Sequence, residues 1–320
     1  MKPLTLSRLP TPLQYLPDSS DRLGVEIWMK RDDLTGLGVS GNKVRKLDYL
    51  LAEAVARGAT CVITTGGIQS NHCRATATAA RMVGLRPVLL LRGTPPTGGR
   101  DGNLLLDTIL GADITFITPQ QYAHRDALMA ETAERLAARG ERPYVIPEGG
   151  SNAVGALGFV QAGRELAVQA MSAGVDFDTV LCAVGSGGTL AGLAMSGLSA
   201  NILGVAVCDD RAYFRNRVEE IAADAERLGC TLPSTGWDVL EGFAGRGYAL
   251  SSPDELASQV ALARETGLIL DPVYTGKAWH ALERTLADSP RALGRRILFW
   301  HTGGLFGIFG RGAEYADACG

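Results

Sequence analysis

No stretch of this chain holds the roughly 20 consecutive apolar residues that a membrane-spanning helix requires, so a transmembrane topology is excluded. The opening segment MKPLTLSRLPTPLQYL lacks both the apolar core of a signal peptide and the Arg/Ser-rich amphipathic pattern of a transit sequence, and the cytoplasm is the expected compartment. There is no CxxC and no Cys/His cluster. The six cysteines (Cys61, Cys73, Cys182, Cys208, Cys230 and Cys319) are scattered, with Cys61, Cys182 and Cys208 in strand-like apolar runs. That pattern points to buried free thiols rather than disulfides or a metal site. Nor is there a basic block. Lys and Arg number 31 against 34 Asp and Glu, a formal charge of -3, so the electrostatic footprint of a nucleic-acid or anionic-membrane partner is missing. Internal repeats and low-complexity tracts are absent too, and the one linker-like stretch is GTPPTGGRDGN at 93–103.

What the chain does have is glycine, 40 residues unevenly placed, with 46% hydrophobic and 20% charged residues, the make-up of an α/β protein with glycine-rich turns. Its 320 residues suit two lobes with a cleft for a small molecule. Short apolar runs recur, each leading into a helical stretch. CVITTGG precedes SNHCRATATAARMVG, PVLLLRG follows, ADITFI precedes a long helix around 120–139, and PYVIP precedes a helix around 153–173. TVLCAVGSGG, ILGVAVCDD before a helix near 211–228, and RRILFWHTGG continue the pattern. Continuous Val/Ile/Leu runs between amphipathic segments predict parallel strands covered on both faces, hence two open twisted α/β domains. The small domain is placed at 47–158 and the large one at 1–46 plus 159–320. Ligands of such sheets bind beyond the strand C-termini, so the residues just after each strand carry the chemistry.

In SGNKVRKLDYLL at 40–51, Gly41 and Asn42 break structure, then Lys43 enters a helix whose Leu47, Leu50 and Leu51 form an apolar stripe. Lys43 and Lys46 share a face, with Arg45 nearby. Clustered cations and burial lower an amine pKa from about 10.4, and a neutral amine attacks a carbonyl, which is the requirement for a Schiff-base lysine. On composition alone, a basic solvated helix start is the more ordinary reading. AVGSGGTLAGL at 183–193 places Gly185, Ser186, Gly187, Gly188 and Thr189 between a strand and a helix, where backbone N–H groups and hydroxyls can cradle a phosphate. Position 190 is Leu, which breaks the GxGxxG fingerprint of dinucleotide sites, and no GxxxxGK[ST] occurs. A plain tight turn is the competing reading. In TTGGIQSNHCRATA at 64–77, Ser70 falls at a helix N-cap, and the amides after it, with Asn71 and His72, form a seat for a substrate carboxylate. Tyr248 in GFAGRGYAL, Tyr274 and Thr275 in ILDPVYTGKAWHAL, and Thr302 in RILFWHTGGLFG are each read as lying at a strand end. Taken singly, the tyrosines are packing residues more often than catalysts.

Together these stretches, nearly end to end, resemble the D-cysteine desulfhydrase and 1-aminocyclopropane-1-carboxylate (ACC) deaminase family of pyridoxal-phosphate (PLP) enzymes. GNKVRKL with GGIQSNH is the most specific part, and GLGVSGNKVRKL, GGIQSNHCRATA, VCDD and HTGGL are most similar to the plant-type D-cysteine desulfhydrase branch. The resemblance implies the tryptophan-synthase-β-like fold (fold type II), with the cofactor in the cleft. It makes Lys43 the Schiff-base lysine and puts Ser70 beside the substrate carboxylate and α-carbon. Asn71 would face the cofactor's O3' oxygen, and Gly185 to Thr189 would hold its phosphate with Lys46 close by. Ser70, Asn71, His72, Tyr248 and Tyr274 would contact the substrate, with Lys43, Ser70 and the two tyrosines catalytic. Thr275 and Thr302 would tune the pyridine nitrogen and the pocket. ACC deaminases typically carry Glu and Leu at these positions, so the threonines favour a desulfhydrase. The implied reaction is α,β-elimination, D-cysteine giving pyruvate, hydrogen sulfide and ammonia, in a homodimer. ACC or L-cysteate as substrate is the alternative inside the family, and a non-catalytic PLP or amino-acid binding protein the alternative outside it. Ser40 replaces the first glycine of the GGNK form common in bacterial members, and Glu148 stands before GGSN where an apolar residue is usual. If Glu148 points inward it makes the pocket more polar.

Overall fold

The apolar runs supply seven of the ten strands that form two separate sheets in the computed structural model, which describes residues 2–319. In chain order the elements are β1 (Leu13–Tyr15), α1 (Pro17–Leu23), β2 (Glu26–Arg31), α2 (Lys43–Ala56), β3 (Cys61–Gly67), α3 (Asn71–Met82), β4 (Arg86–Arg92), α4 (Gly102–Ile109), β5 (Asp113–Ile117), α5 (Pro119–Ala123) and α6 (Arg125–Ala137). Then come β6 (Pro143–Val145), α7 (Ala153–Ala173), β7 (Thr179–Val184), α8 (Gly188–Ala194), β8 (Asn201–Ala206), α9 (Arg211–Ala225), β9 (Trp237–Leu240), α10 (Pro253–Thr266), α11 (Thr275–Asp288), β10 (Arg296–His301) and α12 (Gly312–Cys319). One sheet runs β5-β4-β3-β6 and is wholly parallel. The other runs β1-β2-β10-β7-β8-β9, parallel except for the antiparallel edge pair β1 and β2. Both strand order and helix-covered faces are those of open α/β sheets.

Alternation along the central strands sends side chains to both faces, as a fully covered sheet demands. On β7, Val180, Cys182 and Val184 join Phe159 of α7 and Phe214 of α9 in one core, while Leu181 and Ala183 join Leu262 of α10 and Trp279 of α11 in another. On β3, Val62 packs with Leu47, Leu50 and Leu51 of α2, whereas Cys61 and Ile63 face Met129 and Leu136 of α6. The limits drawn at 46/47 and 158/159 fall inside α2 and α7, two helices in close contact: a Cβ on Gly158 would sit 2.5 Å from the Arg45 carbonyl carbon.

The structure corrects three local readings. The long helix around 120–139 is two helices, because Thr118 and Gln121 close a capping box on α5 with Pro119 at its first position, and His124 (φ -111°, ψ 30°) interrupts the path into α6. Tyr248 lies in a loop beyond β9, and Tyr274 is the residue before α11 with no strand ahead of it, so neither sits at a strand end. All six cysteines are free, but Cys208 is two residues past β8 and half-buried, and Cys319 is exposed. Among the described residues no helix is long and apolar enough to cross a membrane.

Candidate active site

Lys43 is the first residue of α2, and the chain ahead of it is held without an ordinary cap. The Asn42 side chain accepts nothing from its own helix. It donates instead to Thr189 Oγ1 at 3.0 Å, and the Asn42 N–H donates to the Thr302 carbonyl at 3.0 Å. Gly41 lies at φ +102°, and a Cβ there would stand 2.7 Å from that same carbonyl, so only glycine brings Lys43 this close to the loop after β10. Burial pulls the Lys43 amine down to about 8, against the carboxylates of Glu148 and Asp271, which favour its charged form. Desolvation is therefore the leading cause, and Arg45 takes no part. Its guanidinium is turned away into a bidentate pair with Asp32 (2.7 and 2.8 Å) and a pair with Glu165 (2.9 Å), to which Lys30 also donates at 2.5 Å.

The loop after β7 meets the turn after β6. Ser151 Oγ lies 2.8 Å from Ser186 Oγ and accepts from Gly188 N–H at 3.3 Å, while Lys46 Nζ donates to Ser151 Oγ and to the Gly149 carbonyl, both at 3.1 Å. A Cβ on Gly188 would stand 2.6 Å from Ser151 Oγ and 2.9 Å from Lys46 Nζ, so the cradle is closed to any larger residue. Lys46 is fully buried, and burial together with the charge of Lys43 holds its amine well below the usual lysine range. It has no carboxylate partner among the described residues. Two hydroxyls, glycine amides and a buried amine without a counter-ion make a donor set that lacks only an anion.

Ser70 caps α3, its Oγ accepting from Cys73 N–H at 3.2 Å. Asn71 follows as the first helical residue, its Oδ1 accepting from Asn103 Nδ2 at 3.0 Å. His72 is buried, with Nε2 2.8 Å from Thr64 Oγ1, which itself donates to the Ile146 carbonyl. That hydroxyl proton is spent, so Nε2 is the donor. Burial and the nearby cations of Lys43 and Lys46 keep the ring neutral.

Opposite these elements, Tyr248 and Tyr274 place their hydroxyls 2.7 Å apart. The Tyr274 ring fills the space a Cβ on Gly185 would need, 2.8 Å away, and Asp271 fixes the tyrosine by accepting the N–H groups of residues 273 to 275 at 2.9–3.1 Å. Burial pushes the Tyr248 phenol up to about 12 and holds that of Tyr274 well above the usual phenol range, so both stay protonated at neutral pH rather than act as bases.

These residues line one cavity of about 430 Å³, the size of a small-molecule site. Of the residues the sequence singled out, Lys43, Ser70, Asn71, His72, Gly185, Ser186, Gly187, Thr189, Tyr248, Tyr274 and Thr302 form its wall. Lys46 and Gly188 stand behind it. Thr275 is not on the wall: its hydroxyl accepts from Asp271 N–H at 2.8 Å and donates to Asp271 Oδ1 at 2.7 Å, occupied in starting α11. Glu148 does face the cavity, hydrogen-bonded by Tyr122 and ion-paired with Arg125 at 3.0 Å. Sequence reasoning missed Asn42, Ser151, Arg92, Tyr122 and Arg125. Asn42 and Ser151 lay inside motifs already noted and Arg92 ends an apolar run before Gly93, whereas Tyr122 and Arg125 come from α5 and α6, which carry no glycine-rich signal.

A family model described as pyridoxal-phosphate dependent enzyme matches residues 4–303. A Thermotoga maritima protein provisionally named 1-aminocyclopropane-1-carboxylate deaminase is 43% identical over 312 residues, covering 96% of this chain and 97% of its own. The Arabidopsis thaliana protein named bifunctional D-cysteine desulfhydrase/1-aminocyclopropane-1-carboxylate deaminase, mitochondrial, is 41% identical over 331 residues, 99% of this chain and 81% of its own. The crystal structure of an ACC deaminase homologue superposes with a TM-score of 0.90 at 37% identity, covering 99% of this chain and 96% of that one.

Proposed function

Belonging as it does to the D-cysteine desulfhydrase and ACC deaminase family of pyridoxal-phosphate-dependent enzymes, the chain takes that cofactor, and we propose that it eliminates sulfide from D-cysteine to give pyruvate and ammonia. The observation that carries this reading is the pair of side chains at two positions. Thr302 on the cavity wall and Thr275 behind it, its hydroxyl held by Asp271, stand where ACC deaminases typically have Leu and Glu, and neither supplies a carboxylate to enforce protonation of a pyridine nitrogen. A milder electron sink suffices when the β-substituent leaves readily, whereas opening an unactivated ring asks for more.

In this reading Lys43 binds the cofactor, and Lys46, Ser151 and the Gly185 to Thr189 loop receive its phosphate. Bound there, pyridoxal phosphate withdraws electrons from the amino acid's α-carbon. Asn71 faces the cofactor ring. The start of α3 at Ser70 holds the substrate carboxylate by its amides and dipole. The Lys43 amine, its proton affinity reduced by burial, accepts the α-proton. The coupled phenols of Tyr248 and Tyr274 donate toward the departing sulfur.

The test is 2-oxo acid release from D-cysteine, L-cysteine, L-cysteate and ACC by the cofactor-loaded protein, pyruvate with sulfide from the cysteines, pyruvate with sulfite from L-cysteate and 2-oxobutanoate from ACC. D-cysteine is expected to be turned over fastest, and K43A to lose both turnover and the visible cofactor band. Faster consumption of ACC or L-cysteate than of D-cysteine would overturn the substrate assignment. Substantial activity in K43A would overturn the role of the lysine.

A further inference from the structure

Arg92 closes β4 in register with Gly67 at the end of β3, three residues before Ser70. Its guanidinium lies 4.4 Å from the ring centre of Tyr122 and 5.3 Å from that of Tyr248. One aromatic face comes from α5 beside the four-stranded sheet, the other from the loop after β9 on the six-stranded sheet. Stacking of this kind orients the planar fork and leaves its edge N–H groups free to meet an anion. The other cavity arginine, Arg125, is already neutralised by Glu148. Arg92 makes no ion pair among the described residues, and Asp209, the cavity's other carboxylate, pairs with neither.

An amino acid presents three arms at its α-carbon besides hydrogen. On the function proposed above, the amine goes to the cofactor and the carboxylate to the start of α3. The third arm, the side chain, remains for the wall built from Tyr274, Tyr248 and Arg92. We propose that Arg92 is a specificity-determining residue that receives the substrate's β-substituent as it departs as an anion. Lys43 takes the α-proton, the electron pair left behind forms the Cα–Cβ double bond, and the Cβ–S pair leaves with sulfur as hydrosulfide. The new negative charge then faces the one cavity arginine without a carboxylate partner.

The experiment compares D-cysteine with β-chloro-D-alanine in wild-type, R92M and R92K holoenzymes, and reads the ratio of their kcat/KM values together with the cofactor absorbance. Chloride is a far weaker base than hydrosulfide and gains little from a cation. R92M is expected to lose about 10- to 100-fold on D-cysteine, the effect of one charge-assisted contact to a developing anion, and under about 3-fold on the chloro compound. R92K, which keeps the charge without the fork, is expected between the two. A structural defect, or a role for Arg92 in holding the α-carboxylate, lowers both substrates alike, and an unchanged ratio would overturn the proposal while leaving the proposed elimination intact. A wild-type enzyme that releases neither sulfide nor chloride would overturn the elimination itself.

Discussion

The Lys43 amine is lowered to about 8 from an ordinary 10.5, chiefly by burial. At pH 7 about a tenth of it is then neutral, against about one part in 3000 for a free lysine, a gain of roughly 300-fold in nucleophilic amine. Replacing Glu148 by Gln keeps the shape that Tyr122 and Arg125 contact but removes a negative charge that favours the ammonium, so the midpoint must move down, not up. The assay uses cofactor-free protein. Trace acetic anhydride labels lysines across a pH series, and mass spectrometry compares the peptide carrying Lys43 with a free lysine standard. Wild type is expected to titrate near 8 and E148Q below it. A wild-type midpoint near 10.5, or an upward move in E148Q, would refute the account. The same shift has a stability consequence. Between about 8 and 10.5 the unfolded chain binds a proton that the native lysine does not, so this group makes cofactor-free protein more stable as pH rises through that window.

Three further outcomes follow from other parts of the molecule. Gly188→Ala puts a methyl 2.6 Å from Ser151 Oγ, and cofactor affinity is expected to fall by about 10-fold or more with secondary structure retained, measured by spectroscopic titration; unchanged affinity would mean the cradle is looser than described. Asp107 is fully buried with both carboxylate oxygens unpartnered, and burial raises it to about 7 against the pull of Arg74. From about 4 to 7 the native carboxyl keeps a proton that the unfolded chain has lost, so stability falls as pH rises through that window. Asp107→Asn should therefore stabilise the fold at about pH 8 by on the order of 4 kcal/mol, seen as a raised melting temperature, and not at about pH 4; an equal shift at both would refute this. Arg45→Met strands the buried Asp32 carboxylate and is expected to cost about 3–5 kcal/mol in urea unfolding, whereas a loss under about 1 kcal/mol would show the pair to be dispensable.

Seven of the ten described strands were legible because they are continuous apolar runs, a pattern set by local sequence alone, whereas β1, β2 and β9 are short or interrupted by charged residues and were not read as strands. The glycine loop between β7 and α8 and the Ser70 cap were legible from local sequence too. Arg45 was misread as a neighbouring charge on Lys43 because its partners lie 13 and 120 residues away, beyond any local pattern. Tyr248 and Tyr274 were placed at strand ends because short apolar stretches with a glycine nearby are common to strand ends and loops. Thr275 was assigned to the pocket, yet Asp271, four residues earlier, claims its hydroxyl. Tyr122 and Arg125 carry no local signal, and Arg92, although it ends an apolar run before Gly93, is joined to them only by the packing of three elements.

Arg45 ties α2 to Asp32, just after β2, and to Glu165 in α7. The helix origin is thereby bolted to the frame that also carries the loop after β7. Ser70 belongs to the other frame, at the tip of β3. The same helix packs Leu47, Leu50 and Leu51 against Val62 of β3, so one rod is gripped from both sides, and the spacing between the amine at its origin and the serine at the tip of β3 is set by the body of the protein rather than by the loops that carry them.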